Sequence, residues 1–309
     1  MITNRKITAA SLMAATILAA QPALSDGWRD DYQVIKFGVL SGENERDRVQ
    51  RYDGFRTYLE DRLGVTVELF TAGNYDGVIQ ALAADQIEFS FLGSSSYAAA
   101  WSETDGGVIP LLASKSEDGS SGYYAIIVSR CEDGYSSVDD LAGKVMAYAD
   151  PDSTSGYAVP LYNLVNEGYD ADFFASNPFS GSHEAGVQGV VNGTFDAAAT
   201  YENSETRGIP QRMIQKGMLE EGVVCKIWTS PEITNGPFTA RANLPEDLIE
   251  EVRAALEEFP AEAPDAYNAM AGNTAETENP AAGYTRVDHD RYQWVVDMRD
   301  WLRQHRRGG

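Results

Sequence analysis

The sequence predicts an α/β fold built on open sheets, with ligand chemistry gathered at the carboxyl ends of the strands. Three observations predict it. Period-two apolar stretches alternate with helical ones from residue 34 to residue 113, and the same rhythm restarts after Cys131. At 309 residues, 43% hydrophobic and 23% charged, the chain also has the length for two lobes of domain size.

Taken in order, residues 34–40 alternate as a strand, and 48–63 carry helical periodicity that Gly64 stops. A strand covers 65–70, a helix 75–84 and a buried strand 87–92. Gly93-Ser94-Ser95-Ser96 opens a helix through Trp101, followed by a strand over 108–113 and a β-like run over 124–129. After Cys131 come a strand over 144–149, a helix over 157–167, a strand-like stretch over 173–179, a helix over 183–192 and a strand over 195–200. The chain turns extended over 223–241 and ends in helices over 245–259 and 290–303. The Ala/Glu/Pro/Gly/Thr-rich stretch 260–283 reads as helix and loop.

Ahead of these elements, Arg5 and Lys6 precede a small-apolar run over 7–20, and Ala23-Leu24-Ser25 places small residues before Asp26. This pattern predicts a signal peptide over 1–25, cleaved near Ser25, and export into a periplasm. The run is shorter than the roughly 20 apolar residues of a membrane span, and Thr and Ser interrupt it. The formal net charge is −23, and −25 without Arg5 and Lys6. So acidic a chain is not expected to bind nucleic acid or anionic membranes. Cys131 and Cys225 each lie in or beside a β-like run; an oxidising compartment permits them to pair, and the sequence leaves that bond open. No CxxC or HxxxH pair occurs, and His183, His289 and His305 are scattered, so neither a metal nor a cofactor is expected.

The most informative segment is Asp150-Pro151-Asp152-Ser153-Thr154-Ser155-Gly156-Tyr157, which sets three hydroxyls and a glycine ahead of the apolar run 158–165. Ser and Thr favour the N-cap, first-turn amides lack intrahelical partners, and the helix dipole adds about half a positive charge there. Such a turn suits an oxyanion without any basic residue, although the same residues would also serve as a plain helix cap. It reconciles anion binding with a strongly acidic surface, because local dipoles in a cleft outweigh a screened surface field.

Seven blocks then occur in one order and spacing: Phe37-Gly38-Val39-Leu40, Tyr58-Leu59-Glu60 to Leu63-Gly64-Val65, Asn74-Tyr75-Asp76-Gly77-Val78-Ile79, Phe91-Leu92-Gly93, Gly122-Tyr123-Tyr124, 150–156, and Gly181-Ser182-His183-Glu184. Together they resemble the phosphonate-binding periplasmic proteins of ABC transporters, the PhnD type, from about residue 34 to 237. The resemblance implies a two-lobed periplasmic binding protein (type II-like) with a hinge between two open α/β sheets. One lobe would comprise 26–129 plus 229–309 and the other 130–228. It implies a monomer that captures a small phosphorus oxyanion and delivers it to a cognate ABC permease driven by its ATPase, without catalysing a reaction.

Carried over by position, the oxyanion contacts fall on Ser153, Thr154 and Ser155, with Gly156 in the same turn, and on His183, Tyr75 and Tyr123. Each is chemically suited: hydroxyls, an imidazole at a second helix start, and phenols at a turn and a strand end can all donate. The chain departs from the resemblance where members that bind an aminoalkyl phosphonate place carboxylates for the ammonium. Asn203 and Gly236 stand there instead. Either Glu202 or Glu205 substitutes for them, or the ligand has no amine, which favours phosphite, methylphosphonate or phosphate. Another client of the same fold, such as a sulfonate or a thiamine precursor, or delivery to a sensor, is the second reading. An exported phosphoryl hydrolase with Ser155 as nucleophile and His183 as base is the third. It lacks an oriented base, metal carboxylates and a Gly-x-Ser-x-Gly motif.

Overall fold

The structure, a computed structural model, describes residues 27–170 and 172–308, so the leader expected over 1–25 lies outside the described residues. Two mixed sheets form the framework. The first begins with β1 (Val34–Val39), which pairs in parallel with β2 (Thr66–Thr71) and β3 (Phe89–Phe91). Helix α1 (Glu45–Leu63) makes the β1–β2 crossover. Asn44 caps its start by accepting from the Asp47 amide at 3.1 Å, and Gly64 ends it in the left-handed conformation at φ 69°. Its buried stripe, Arg48, Tyr52, Phe55, Leu59 and Leu63, follows helical spacing. Phe55 thereby joins Phe37, Phe89, Phe238 and Phe259 in one core, each ring worth roughly 1.5–3 kcal/mol of burial.

Helices α2 (Tyr75–Ala83) and α3 (Ser94–Glu103) flank β3, and β4 (Val108–Ser116) extends the first sheet. Residues 117–121 then carry the chain to the second sheet. There β5 (Gly122–Arg130) pairs antiparallel with β7 (Ala197–Ser204), and β6 (Met146–Ala147) joins β7 in parallel. Helices α4 (Val159–Asn166) and α5 (His183–Val191) lie between them in sequence. The short strand β8 (Arg207–Gly208), helix α6 (Ile209–Gln215), β9 (Val224–Thr229) and β10 (Ile233–Thr234) complete this half. The chain returns through 235–236 to β11 (Pro237–Arg241), which inserts antiparallel between β3 and β4. After α7 (Glu246–Glu262) and α8 (Pro264–Ala271), β12 (Ala281–Arg286) adds the last strand beside β4. Helix α9 (Gln293–Gly308) packs Val295, Val296, Met298 and Leu302 into the core of the second half. No described helix is long and apolar enough to cross a membrane.

Three expectations are corrected. The stretch 173–179 is not a strand; it makes only two isolated parallel bridges, Val145 to Ser176 and Tyr148 to Phe179. Pro178 has no N–H to continue a ladder, and its carbonyl accepts from Tyr148 instead. The helix expected from residue 157 begins earlier, with a single π-helical turn over Thr154–Ala158. Pro160 cannot donate to the Gly156 carbonyl, which accepts from Ala149 at 2.8 Å. Within 260–283, the end of the stretch is the start of strand β12, where Ala281 pairs with Ser116.

Cys131 and Cys225 form a disulfide, joining the end of β5 to β9 across a sequence separation of 94. Closing a loop of that length restricts the unfolded chain by roughly 4–5 kcal/mol in the entropy model, and native disulfides typically contribute about 2–5 kcal/mol. The C131S/C225S double variant is accordingly expected to lower the denaturant midpoint and to raise the slope, because the unfolded chain expands once the cross-link is gone. An unchanged midpoint would show that the β5–β9 ladder holds this junction without the bond.

Candidate functional site

Between the two sheets lies a cavity of about 210 Å³, far above the roughly 10–15 Å³ that admits one water. The carboxyl ends of β1 and β3 contribute Val39, Leu40, Phe91 and Leu92, where open α/β sheets place ligands. The structure brings Ser153, Thr154, Ser155, His183, Tyr75 and Tyr123 together on this one surface.

Ser153 is an N-cap: its Oγ accepts from the Gly156 amide at 3.0 Å. Thr154 Oγ1 accepts from the Ser95 amide at 2.8 Å, capping α3, whose own N-cap Gly93 has no side chain. The π-helical turn and α3 therefore converge, and the three hydroxyl residues are no more than 3% exposed. Gly156 does not face the cavity but packs behind the turn. A Cβ there would lie 2.5 Å from Ala149 Cβ and 2.8 Å from both Ser153 Oγ and His183 Cε1, so only glycine lets the turn sit this close.

His183 opens α5 behind its N-cap Ser182. Its Nε2 is 3.1 Å from Ser153 Oγ and its Nδ1 3.3 Å from Thr200 Oγ1. Burial pushes its pKa down to about 3, and the positive charge of Arg212 adds to the effect. A neutral ring has one donor and one acceptor nitrogen, so it bridges the two hydroxyls and orients Ser153. Burial also pushes Tyr123 up to about 12, against the hydroxyls of Ser155 and Thr154, which pull it down. Tyr75 is raised well above the usual phenol value, first by burial and then by the charge of Asp150. Both phenols stay protonated at neutral pH and keep their donors.

Glu202 is brought elsewhere. Strand β7 alternates, so Tyr201 and Asn203 line the cavity while Glu202 points to the opposite face. There its Oε1 is 2.5 Å from Lys226 Nζ, which also holds Glu205 at 3.0 Å. Neither carboxylate can take the part expected of it toward an ammonium. Gly236 lines the cavity through backbone alone, since a Cβ would sit 2.0 Å from the Leu92 carbonyl oxygen. Gly236→Ala is expected to force the strands apart and lower stability by about 1–3 kcal/mol, measurable as a reduced thermal midpoint. A variant as stable as the parent would mean that 235–236 relaxes freely.

Contacts across the cleft bind its walls. Asp150 Oδ2 accepts from the Tyr75 amide at 3.2 Å, and Ser96 Oγ donates to the Asp152 carbonyl at 2.9 Å. Lys216, the C-cap of α6, lies 3.0 Å from Glu43, 2.8 Å from Asp47 and 3.1 Å from Glu184. Sequence reasoning missed the charged residues of the lining, namely Glu43, Arg51, Arg207 and Arg212. Pro210, one residue before the run that leads to Arg212, is a helix-start signal that points to α6.

The family described as the periplasmic substrate-binding protein of phosphonate ABC transporters matches residues 37–292. The chain is 29% identical over 266 residues to the phosphate-import protein PhnD of Mycolicibacterium smegmatis, covering 81% of this chain and 80% of that protein. It is 27% identical over 263 residues to the phosphonates-binding periplasmic protein of Escherichia coli, covering 81% and 73%. PhnD1 of Prochlorococcus marinus, solved in complex with methylphosphonate, superposes with a TM-score of 0.71 at 18% identity, covering 88% of this chain and 98% of that one. The fold is thus that of the two-lobed periplasmic binding proteins. Members of the matched family bind and deliver substrate and are not enzymes, which removes the hydrolase reading. With its fold and the matched span of residues 37–292 in agreement, this chain belongs to the phosphonate-binding periplasmic substrate-binding proteins of ABC transporters.

Proposed function

We propose that this protein, exported with cleavage near Ser25, captures a phosphonate-type oxyanion in the cleft as a monomer and passes it to a cognate permease and ATPase. The observation that carries this reading is the hydroxyl turn Ser153-Thr154-Ser155, buried at a helix start and facing the same cavity as two protonated phenols. Ser153, Thr154, Ser155, Tyr75 and Tyr123 would donate to the oxyanion, with His183 fixing Ser153. Hydroxyls, amides and a helix end supply the positive potential that a phosphoryl group requires, in a site where each such bond gains from low dielectric.

The lobes, expected as 26–129 plus 229–309 and 130–228, would instead divide at 117–121 and 235–236 and move about those segments, because β5 and β10 pair within the second sheet. Ligand bonds from both lobes exist together only when the lobes meet, so binding shifts an open-to-closed equilibrium and creates the surface a permease reads. The relatives' names divide between phosphate and phosphonates, which supports the head group and leaves the substituent to this chain's own residues.

Calorimetric titration of the ligand-stripped mature protein tests the reading, with phosphite, phosphate and methylphosphonate against an alkanesulfonate control. Heat from phosphorus oxyanions alone is expected. Heat from the sulfonate alone would transfer the site to that client, and no heat from any would refute an oxyanion site at the hydroxyl turn.

A further inference from the structure

The cavity lining holds two chemically different sets of residues. The hydroxyl turn, the phenols and His183 are polar but uncharged. The charged set is mainly basic: Arg51 of α1, Arg207 of β8 and Arg212 of α6, with Glu43 the one acidic residue of the lining among the described residues. The lining therefore holds two positive charges in excess.

Glu43 is already heavily shared. It accepts from Arg51 Nε at 2.7 Å, lies 3.8 Å from Arg212 Nη1, and also holds Lys216. Arg207 has no carboxylate partner among the described residues. Its Nη2 donates to Ser116 Oγ at 3.1 Å and its Nη1 to Asn273 Oδ1 at 3.5 Å, both neutral. Arg207 is only 7% exposed, and its Nε has no hydrogen-bond partner. In the same lining, the Tyr284 hydroxyl is likewise buried with no partner.

A buried guanidinium facing only neutral oxygens is costly unless a counter-charge arrives. The unsatisfied Tyr284 phenol is a further donor of the same lining waiting for an acceptor. An ammonium tail would meet a lining with three guanidiniums, and a bare phosphite would bring no second counter-charge to them.

Resting on the phosphonate reading above, we propose that the ligand is a phosphonate whose substituent carries a second anionic group, a carboxylate or phosphoryl, bound by Arg207, Arg212 and Tyr284. The planar guanidinium fork fits either group. The replacement of the amine-binding carboxylates by Asn203 and Gly236 belongs to the same change of charge.

The test is calorimetric titration of the ligand-stripped mature protein with methylphosphonate, 2-aminoethylphosphonate, 3-phosphonopropionate and methylenediphosphonate. One or both of the ligands with a second anionic group is expected to bind roughly ten- to a hundredfold tighter than methylphosphonate, the scale of one charge-assisted contact set, with the aminophosphonate weakest. The two arms tell carboxylate from phosphoryl. Arg207→Gln is expected to bring the affinity ratio, that of the preferred ligand with a second anionic group over methylphosphonate, close to unity, and Tyr284→Phe to reduce it by a smaller factor. The phenylalanine variant removes a hydroxyl that bonds nothing in the protein, so it provides the answer should the arginine variant not fold.

Methylphosphonate or the aminophosphonate binding as tightly as both ligands with a second anionic group would overturn the proposal, as would equal proportional losses for all ligands in both variants. Failure of every phosphorus oxyanion to bind would instead overturn the phosphonate reading, and this proposal with it.

Discussion

Replacing Ser153, Thr154 and Ser155 together by alanine is expected to weaken methylphosphonate binding at least about a thousandfold. Three charge-assisted hydrogen bonds at roughly 1.5–3 kcal/mol each account for that loss. The hydroxyls also have structural work, which must be separated from binding. Ser153 caps its own turn, Thr154 caps α3, and each lost cap costs about 1 kcal/mol of stability. Ser155 supports neither cap, so Ser155→Ala is the cleaner variant, with a loss of roughly ten- to a hundredfold expected at little change in stability. Calorimetry beside a urea titration separates the two effects. A triple variant that folds and binds with undiminished affinity would place the oxyanion elsewhere in the cavity.

The hydroxyl turn was legible because its signal is local. Capping chemistry needs only the residue types and a following apolar run, and Ser153 does cap the turn as its sequence implies. Strands β1 and β2 and helices α1 and α2 were legible for the same reason, since period two and period 3.6 are written along the chain. The π-helical turn was not, because it follows from Pro160 withholding a donor while Gly156 bonds Ala149 instead.

The arginines escaped for a different cause. Arg207 sits on a two-residue strand that exists only because β7 offers an edge, and Arg51 lies one helical step beside the buried stripe of α1. Their convergence is a tertiary fact with no local pattern. Glu202 is the instructive miss, because the alternation that β7 requires was available. If Asn203 occupies the position facing a ligand, its neighbour on a strand must face away. Glu202 therefore cannot stand in for a carboxylate at Asn203, and the pairing Tyr124 to Glu202 fixes that parity.

Acidification is expected to destabilise the protein through His183 before most carboxylates titrate. In the unfolded chain the imidazole takes a proton near its ordinary value of about 6.5, whereas burial holds the folded ring near 3. The unfolded state therefore binds more protons between those values, and stability falls as pH drops through that window, with full stability above it. Each pH unit below 6.5 removes up to about 1.4 kcal/mol, so roughly 2 kcal/mol is lost by pH 5 and up to about 5 kcal/mol at pH 3. Glu43, lowered by Arg51 and Arg212 against its burial, adds a loss of the same sign at more acidic pH. Asp150 and Glu202, both raised by burial, act in the opposite sense, since a raised carboxylate contributes most below its unfolded value. Raised carboxylates take up protons toward the same interval, so the histidine's share from pH 6.5 to 5 is read as the difference between the parent and a variant without the imidazole. Urea midpoints at those two pH values should differ clearly in the parent and much less in His183→Gln, which can still bond Ser153 and Thr200 without titrating. Equal pH slopes in the two proteins would mean that His183 accepts its proton in the folded state, and the site would then carry an imidazolium facing the ligand.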